Sequence, residues 1–478
     1  MKPNNPSRRQ FLGQCSACAA GLTLLPWFSQ SLFGADQPWQ LTGKMSRPDV
    51  KPVIKTIFAY PDPAGPIWPN IGYDFDTKVA ELKGNLLTNC PGFEFRFMTT
   101  MNGSAEEANR IIAEDPDVDG YAYFLVGCLW GNLSETLAAA GKPMIMIDHL
   151  YAGSGEFLTA YAWAKRQNLP VLAVSSSEFG DVVQALNYLK VVKMLRHSNI
   201  LVVGANPDTS LTDTYGTGVL GVPFDEVNAH YNKVPAKDSK AMAQDWINRA
   251  AMVIEPAFTD IQAAAAIYLT MTRLLEEHKA QAITINCLGG IYSKQMVCAY
   301  PCLGFMELDN LGFVGACEAD QRSTLTKLMM AYLANRPGFI SDPVIDTAKN
   351  QIIYAHCVAP TRMLGPDTPE NAFHIRNHSE DRLGACNRSL MPLGEMTTTM
   401  QWDHHKKQVI YHQGITVENV DDDKACRTKL AVEVKGDVFR LLNEWDQWGW
   451  HRVTFYGDYR QQIHEMAQLY GFSVLHEA

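Results

Sequence analysis

The stretch Pro301-Cys302-Leu303-Gly304-Phe305-Met306-Glu307-Leu308-Asp309-Asn310-Leu311-Gly312-Phe313-Val314-Gly315-Ala316-Cys317-Glu318-Ala319-Asp320 decides how this chain is read. A short apolar run ends in two carboxylates spaced Glu-x-Asp, and a helix-like segment over 323–333 follows at once. Strand, acids and helix in that order mark an α/β sheet, whose ligand and metal sites lie beyond the carboxyl ends of its strands. Two carboxylates placed there need a cation or strong donors beside them, because burying them alone is costly. Strand side chains alternate, so residues two apart on an extended strand point the same way. Glu318 and Asp320 are therefore expected to face one cavity.

Upstream of this stretch, strands and helices alternate. Residues 53–60 read as a buried strand, stopped by Pro61-Asp62-Pro63-Ala64-Gly65-Pro66. A helix is expected over 104–114, strands over 120–126 and 143–147 with a helix at 133–140 between them, and a strand over 171–174. A second round follows, with a helix at 182–195, a strand at 199–204, long helices at 238–253 and 259–277, and a strand at 282–286. Such alternation predicts parallel sheets with crossover helices. Val203-Gly204-Ala205-Asn206 lacks the full G-x-G-x-x-G of a dinucleotide site. Beyond about residue 344 the texture changes. Segments 351–358, 395–402, 408–416 and 431–434 read as strands joined by polar turns, and the chain closes with a strand at 450–456, a helix at 461–469 and a strand at 472–475. The expected fold is α/β: two Rossmann-like three-layer domains, 51–178 and 179–343, followed by a mainly β C-terminal domain, 344–478.

The 478 residues suffice for about two to four domains. A net charge of −10 argues against a nucleic-acid partner, which would call for a basic stripe. Ser7-Arg8-Arg9-Gln10-Phe11-Leu12-Gly13, ahead of an apolar region over 15–33, reads as a twin-arginine export signal. The expected organisation begins with this signal at 1–35 and a polar linker at 36–50. The expected location is periplasmic or otherwise extracytoplasmic, with membrane anchoring only if the signal is retained. Of 11 cysteines, Cys15 and Cys18 fall in the signal, and the rest fit no zinc spacing. Cys287, Cys302 and Cys317 read as small core residues.

Candidates for chemistry are Glu318, Asp320, His356, His378 and His451, each near the end of an expected strand. Hard oxygens and imidazoles together suit a divalent cation such as Mn²⁺. Each has a plainer reading: the acids as helix N-terminal residues favoured by the dipole, and the histidines as hydrogen-bonded or solvated side chains. His404-His405 reads as an exposed turn before Lys406-Lys407, and Asp421-Asp422-Asp423 as a solvated turn without EF-hand spacing. Trp445, Trp448 and Trp450 could stack on a sugar, but core packing of at least two is expected. His149 and Tyr151, after the strand ending at Ile147, are weaker substrate candidates.

Over about residues 50–478, and best from Ala282 onward, the chain resembles the L-fucose isomerase and L-arabinose isomerase superfamily. The resemblance rests on the Glu-x-Asp pair, Gly338-Phe339-Ile340-Ser341-Asp342-Pro343, Ala355-His356-Cys357 and Trp450-His451-Arg452-Val453-Thr454-Phe455-Tyr456-Gly457-Asp458, which fall in family order. It implies that Glu318, Asp320, His378 and His451 hold a metal, most readily Mn²⁺, and that His356 stands near a further ligand position. It also implies proton transfer between neighbouring sugar carbons through an enediolate, and a homo-oligomer whose site a neighbouring subunit completes, with His149 and Tyr151 as the candidates for that contribution. One departure counts against ordinary isomerization. Where fucose-isomerase-like proteins carry a metal- and proton-handling Glu, this chain has Cys287-Leu288-Gly289-Gly290, and Gly290 has no side chain. Glu307 is the nearest acid, and its context suggests a helix facing elsewhere. Three readings stand: an exported metal-dependent sugar isomerase-like enzyme, a non-catalytic periplasmic carbohydrate-binding protein, and an epimerase or lyase acting on a keto-sugar.

Overall fold

In the computed structural model of this protein, residues 45–478 are described. The proposed signal and most of the proposed linker lie outside the described residues. Five parallel strands come first: β1 (Val53–Ala59), β2 (Glu94–Thr100), β3 (Gly120–Leu125), β4 (Met144–Asp148) and β5 (Val171–Ser175), in spatial order β2-β1-β3-β4-β5. Alternation along these strands feeds two separate cores. Ile54, Phe58, Ala122, Phe124, Ile145 and Ile147 pack with helices Phe75–Asn89 and Phe179–Arg196. Ile57, Ala59, Tyr121, Tyr123, Met144 and Met146 pack on the other face with helices Ala105–Glu114, Leu133–Ala139 and Ser154–Arg166. Both faces of the sheet are thus covered, which is why its strands read as nearly continuous apolar runs.

A second parallel sheet holds β6 (Asn199–Val203), β7 (Gly218–Val222), β9 (Ala282–Ile285) and β10 (Val314–Cys317), in order β10-β9-β6-β7. The short β8 (Met252–Val253) instead joins β13 (Phe373–Arg376) and β14 (Cys386–Ser389) in a small separate sheet. Beneath the second sheet, Asp309 and Lys327 form a fully buried ion pair at 2.6 Å. Burial raises the Asp309 pKa to about 6, against the pull of the Lys327 ammonium.

The C-terminal part is an antiparallel barrel. It is built from β11 (Phe339–Asp346), β12 (Gln351–His356), β15 (Met396–Asp403), β16 (Gln408–Asn419), β17 (Thr428–Val434) and β18 (Arg452–Tyr456). The order β15-β18-β11-β12-β17-β16 closes through a β15–β16 pairing, which removes the free edges; β19 (Ser473–His476) adds in parallel to β16. Inside, His412 hydrogen-bonds the buried Glu477 at 2.8 Å and also Tyr354. Trp445 and Trp448 are buried, whereas Trp450 is 71% exposed. All nine described cysteines are free thiols. No helix of the described residues is long and apolar enough to cross a membrane.

Candidate metal centre and active site

Three neighbouring barrel strands and the end of one parallel strand meet at this site. Register explains how residues far apart in sequence arrive together. Ser341 of β11 pairs with Arg452 of β18, so His451 sits opposite Asp342. Asp342 in turn pairs with Ala355 of β12, which places His356 one residue further along. From the second sheet, β10 ends at Cys317 and delivers Glu318 and Asp320.

The expectation that an extended strand aims both acids alike is corrected here. Glu318 and Ala319 are left-handed, with φ of 61° and 52°, which non-glycine residues rarely adopt. The turn is pinned by Ala319 N–H donating to Ile285 O at 3.0 Å and Asp320 N–H donating to Cys317 O at 3.2 Å. Two consecutive strained residues are a cost of the kind that gathers at functional sites. The sharp turn makes Asp320 the N-cap of helix Gln321–Ala334, where its carboxylate accepts from Ser323 N–H at 3.0 Å and Ser323 Oγ–H at 2.6 Å.

His451 is the hub. Its Nδ1 lies 2.9 Å from Asp320 Oδ2, and its Nε2 lies 3.2 Å from Asp342 Oδ1 and 3.6 Å from Glu318 Oε2. Nε2 makes no hydrogen bond and is buried. Burial alone would lower the His451 pKa, but Asp320 and Asp342 outweigh it and raise the imidazolium to about 10. Burial likewise works to raise the Asp320 and Asp342 pKa values, and His451 brings both down, Asp320 to about 2. Glu318 moves the other way: burial raises its pKa, His451 offsets part, and the Asp342 and Asp320 charges add to the rise.

His356 contributes differently. Its Nδ1 accepts the Cys357 backbone N–H at 2.8 Å. In the neutral ring that bond places the proton on Nε2, which is buried without a partner and 3.8 Å from Glu318 Oε1. Burial lowers the His356 pKa to about 4, so the ring is neutral near pH 7. His356 thus presents an N–H to the cluster.

The donor set fits a divalent cation. Three carboxylates, Asp320 and Asp342 partly buried and Glu318 exposed, face one buried imidazolium, an excess of negative charge that a cation would relieve. Donors at right angles around an ion at about 2.1–2.4 Å lie about 3.0–3.4 Å apart; the Asp342–His451 separation falls in that range and Glu318–His451 slightly beyond it. Asp342, His356 and His451 offer ligand atoms all within 4.8 Å of one another, as do Cys317, Glu318 and His356. His451 bonded through Nδ1 to Asp320, with Nε2 turned to the centre, has the carboxylate–imidazole arrangement that orients metal-binding histidines.

Of the residues singled out from sequence, Glu318, Asp320, His356 and His451 come together. Trp450 stands at the same place, its indole N–H donating to Asp342 Oδ1. His378 is stacked on Tyr300 with ring centroids 4.5 Å apart, and its Nδ1 lies 3.8 Å from Asp381 Oδ1. His149 bonds Tyr73 OH at 2.8 Å beside a cavity of about 350 Å³ at the carboxyl end of the first sheet, and Tyr151 is 81% exposed. Asp342 was missed as a candidate, although it stands in the quoted Gly-Phe-Ile-Ser-Asp-Pro; only strand register reveals that it opposes His451. Glu307 faces away, as its context implied: it accepts from Trp246 Nε1–H at 3.0 Å and pairs with Arg249.

Gly290 is packed shut. A Cβ there would lie 2.7 Å from the Phe224 ring and 2.9 Å from Met296 Cβ. The same ring closes on Gly204, whose φ of 69° already favours glycine. Phe224 also lines a cavity of about 730 Å³ with Gly204, Asn206, Pro207 and Gln295, at the carboxyl ends of β6 and β7.

Fold and site together define an α/β protein with parallel sheets and a terminal antiparallel barrel, carrying a carboxylate–imidazole cluster able to hold a metal ion. No known family profile matches the chain. It is similar to the sulfoquinovose isomerase of Clostridium sp. strain MSTE9, 26% identical over 166 residues, which cover 34% of this chain and 36% of that relative. The likeness supports a relationship to sugar isomerases and reaches no further than about a third of either protein.

Proposed function

We propose that this chain is an exported, metal-dependent enzyme of the sugar-isomerase kind, acting on a small carbohydrate. The observation that carries the proposal is the approach of Glu318 and Asp342 to the same His451 Nε2, at 3.6 and 3.2 Å, with Asp320 on His451 Nδ1. In this reading Glu318, Asp342 and His451 Nε2 hold a divalent cation, Mn²⁺ by preference for mixed oxygen and imidazole donors. When bound, that cation would chelate adjacent sugar oxygens and stabilise the charge developing on them. Asp320 holds His451 through Nδ1 and contacts the cation only if that bond opens. Asp320 and Asp342 are held ionised by His451. Glu318, the most exposed of the three acids, is the one a sugar can reach, and it takes and returns the proton. His356 donates Nε2–H to a sugar oxygen, and exposed Trp450 offers a stacking face. His356 would serve as a cation ligand only by giving up its bond from Cys357.

The two parallel sheets are read as Rossmann-like three-layer domains, 51–178 and 179–343, with the barrel region 344–478 as the third. A homo-oligomer, in which His149 and Tyr151 reach a neighbour's site, belongs to the same proposal. So does export to the periplasm by the twin-arginine segment.

One observation favours a second reading of the reaction. With Gly290 closed by Phe224, the carboxylate of fucose-isomerase-like proteins has neither a side chain nor a space. Epimerization or β-elimination on a keto-sugar needs the same proton removal beside a carbonyl and is the alternative. The test is a panel of aldoses, ketoses and sulfoquinovose in deuterated water, with and without Mn²⁺. The proposal expects metal-dependent deuterium uptake at a carbon next to the carbonyl, and the product distinguishes isomerase, epimerase and lyase. Sugar binding without metal and without deuterium uptake would contradict it and favour a binding protein.

A further inference from the structure

The hairpin turn between β15 and β16 departs from its expected exposure. His405 is exposed, but His404 is buried, with its side chain 1% accessible. Both imidazoles aim at one carboxylate oxygen. His404 Nε2 lies 3.0 Å and His405 Nε2 3.1 Å from Oδ2 of Asp208, in the loop after β6. Ser210 Oγ lies 2.9 Å from His404 Nε2. The two rings approach to 4.1 Å between centroids at 37°. Consecutive side chains ordinarily diverge, so their convergence is imposed by the turn. Asp208 is itself held: its Oδ1 accepts from Ser210 N–H at 3.1 Å and from Ser210 Oγ–H, and its own N–H donates to Gln321 Oε1 at 2.7 Å.

We propose that Asp208 Oδ2, His404 Nε2 and His405 Nε2 form a second divalent-cation site, of the Zn²⁺ class, with Ser210 Oγ or water as fourth donor. The three ligand atoms lie within 4.8 Å of one another. Two imidazoles and one carboxylate are a donor set that zinc takes at about 2.0–2.2 Å. Around a tetrahedral ion at that distance, donors stand about 3.3–3.6 Å apart. The two separations to Asp208 are slightly shorter, so a small outward turn of the exposed His405 and the partly exposed Asp208 admits the ion. The site shares no residue with the Glu318–Asp342–His451 cluster. Its position gives it a structural role: it ties the loop beyond the second sheet to a barrel hairpin, and a cation bound only by the folded state raises stability by mass action.

The test uses the full chain, stripped with a chelator and titrated with Zn²⁺ alone, followed by calorimetry and by thermal melting. Wild type is compared with His405→Ala, an exposed substitution, with Asp208→Asn, and with His451→Ala, which disables the other centre. The expected result is that His405→Ala and Asp208→Asn each lose one zinc equivalent and most of the Zn²⁺-induced rise in Tm, while His451→Ala keeps that equivalent. In Co²⁺-loaded protein, the strong visible bands of a tetrahedral site should vanish in His405→Ala. Equal zinc counts and equal Tm shifts in wild type and His405→Ala would overturn the proposal, leaving a hydrogen-bonded triad.

Discussion

Replacing Asp320 by Asn should change how metal binding depends on pH. Asn remains a good helix N-cap, and its amide oxygen can still accept from Ser323 N–H, so the helix loses little. What disappears is the negative charge 2.9 Å from His451 Nδ1. In wild type the imidazolium, raised to about 10, must give up its Nε2 proton before that nitrogen can bind a cation. At pH 7.5 this deprotonation costs about 3 kcal/mol, at about 1.4 kcal/mol per pH unit. Wild-type affinity for Mn²⁺ should therefore rise about tenfold per pH unit between pH 6.5 and 9. In Asp320→Asn, burial pulls the His451 pKa down with only Asp342 and the more distant Glu318 opposing it, and the slope should flatten within that window. Folding stability follows the same linkage. A histidine with a raised folded pKa contributes stability that is fully present below its unfolded pKa, near 6.5, and lost as pH rises through about 10. The stability gap between wild type and variant should therefore close toward pH 10. Calorimetric Mn²⁺ titrations across pH, with the His451 ring resonance followed by NMR, read both effects. Parallel slopes in the two proteins would refute the reasoning.

Three further outcomes are expected. Lys327→Met strands the Asp309 carboxylate in the core and should cost about 3–5 kcal/mol in urea unfolding; Lys327→Met with Asp309→Asn should recover part of it, and no recovery would rule out the stranded charge as the cause. Gly290→Glu drives a side chain into Phe224 and should lower Tm, whereas adding Phe224→Ala should restore it; an unperturbed single variant would mean the space is not closed. Changing Arg8 and Arg9 to Lys should block export through the folded-protein route while leaving folding intact, and unchanged translocation would remove the export proposal.

Much of the architecture was legible because it rests on local patterns. Strands such as β1 and β3 announced themselves as apolar runs, and the switch to a strand-rich texture near residue 344 marked the barrel. The helix Phe75–Asn89 and strand β2 were not read: the helix carries Lys and Glu among few apolar residues, and every residue of β2 before Thr100 is at least partly exposed. Within the site, Glu318, Asp320, His356 and His451 were visible as chemistry-bearing residues at expected strand ends. Asp342 was not, because its role depends on non-local register: β11 pairs with β18 across more than a hundred residues. The separate tasks of Asp320 and His356 were likewise out of reach. They follow from a left-handed turn at Glu318–Ala319 and from a single backbone N–H on His356 Nδ1. The His404–His405 turn misled for a related reason, since only tertiary packing brings Asp208 beneath it.

Glu318, Asp342 and His451 are proposed to surround one divalent cation. Anomalous diffraction from crystals grown in excess Mn²⁺, with data collected on both sides of the manganese edge, tests it most directly. A manganese peak is expected within about 2.0–2.6 Å of a Glu318 Oε, Asp342 Oδ and His451 Nε2, with Asp320 still bonded to His451 Nδ1. Manganese-replete crystals with no peak among these residues, or with manganese only elsewhere in the chain, would contradict it.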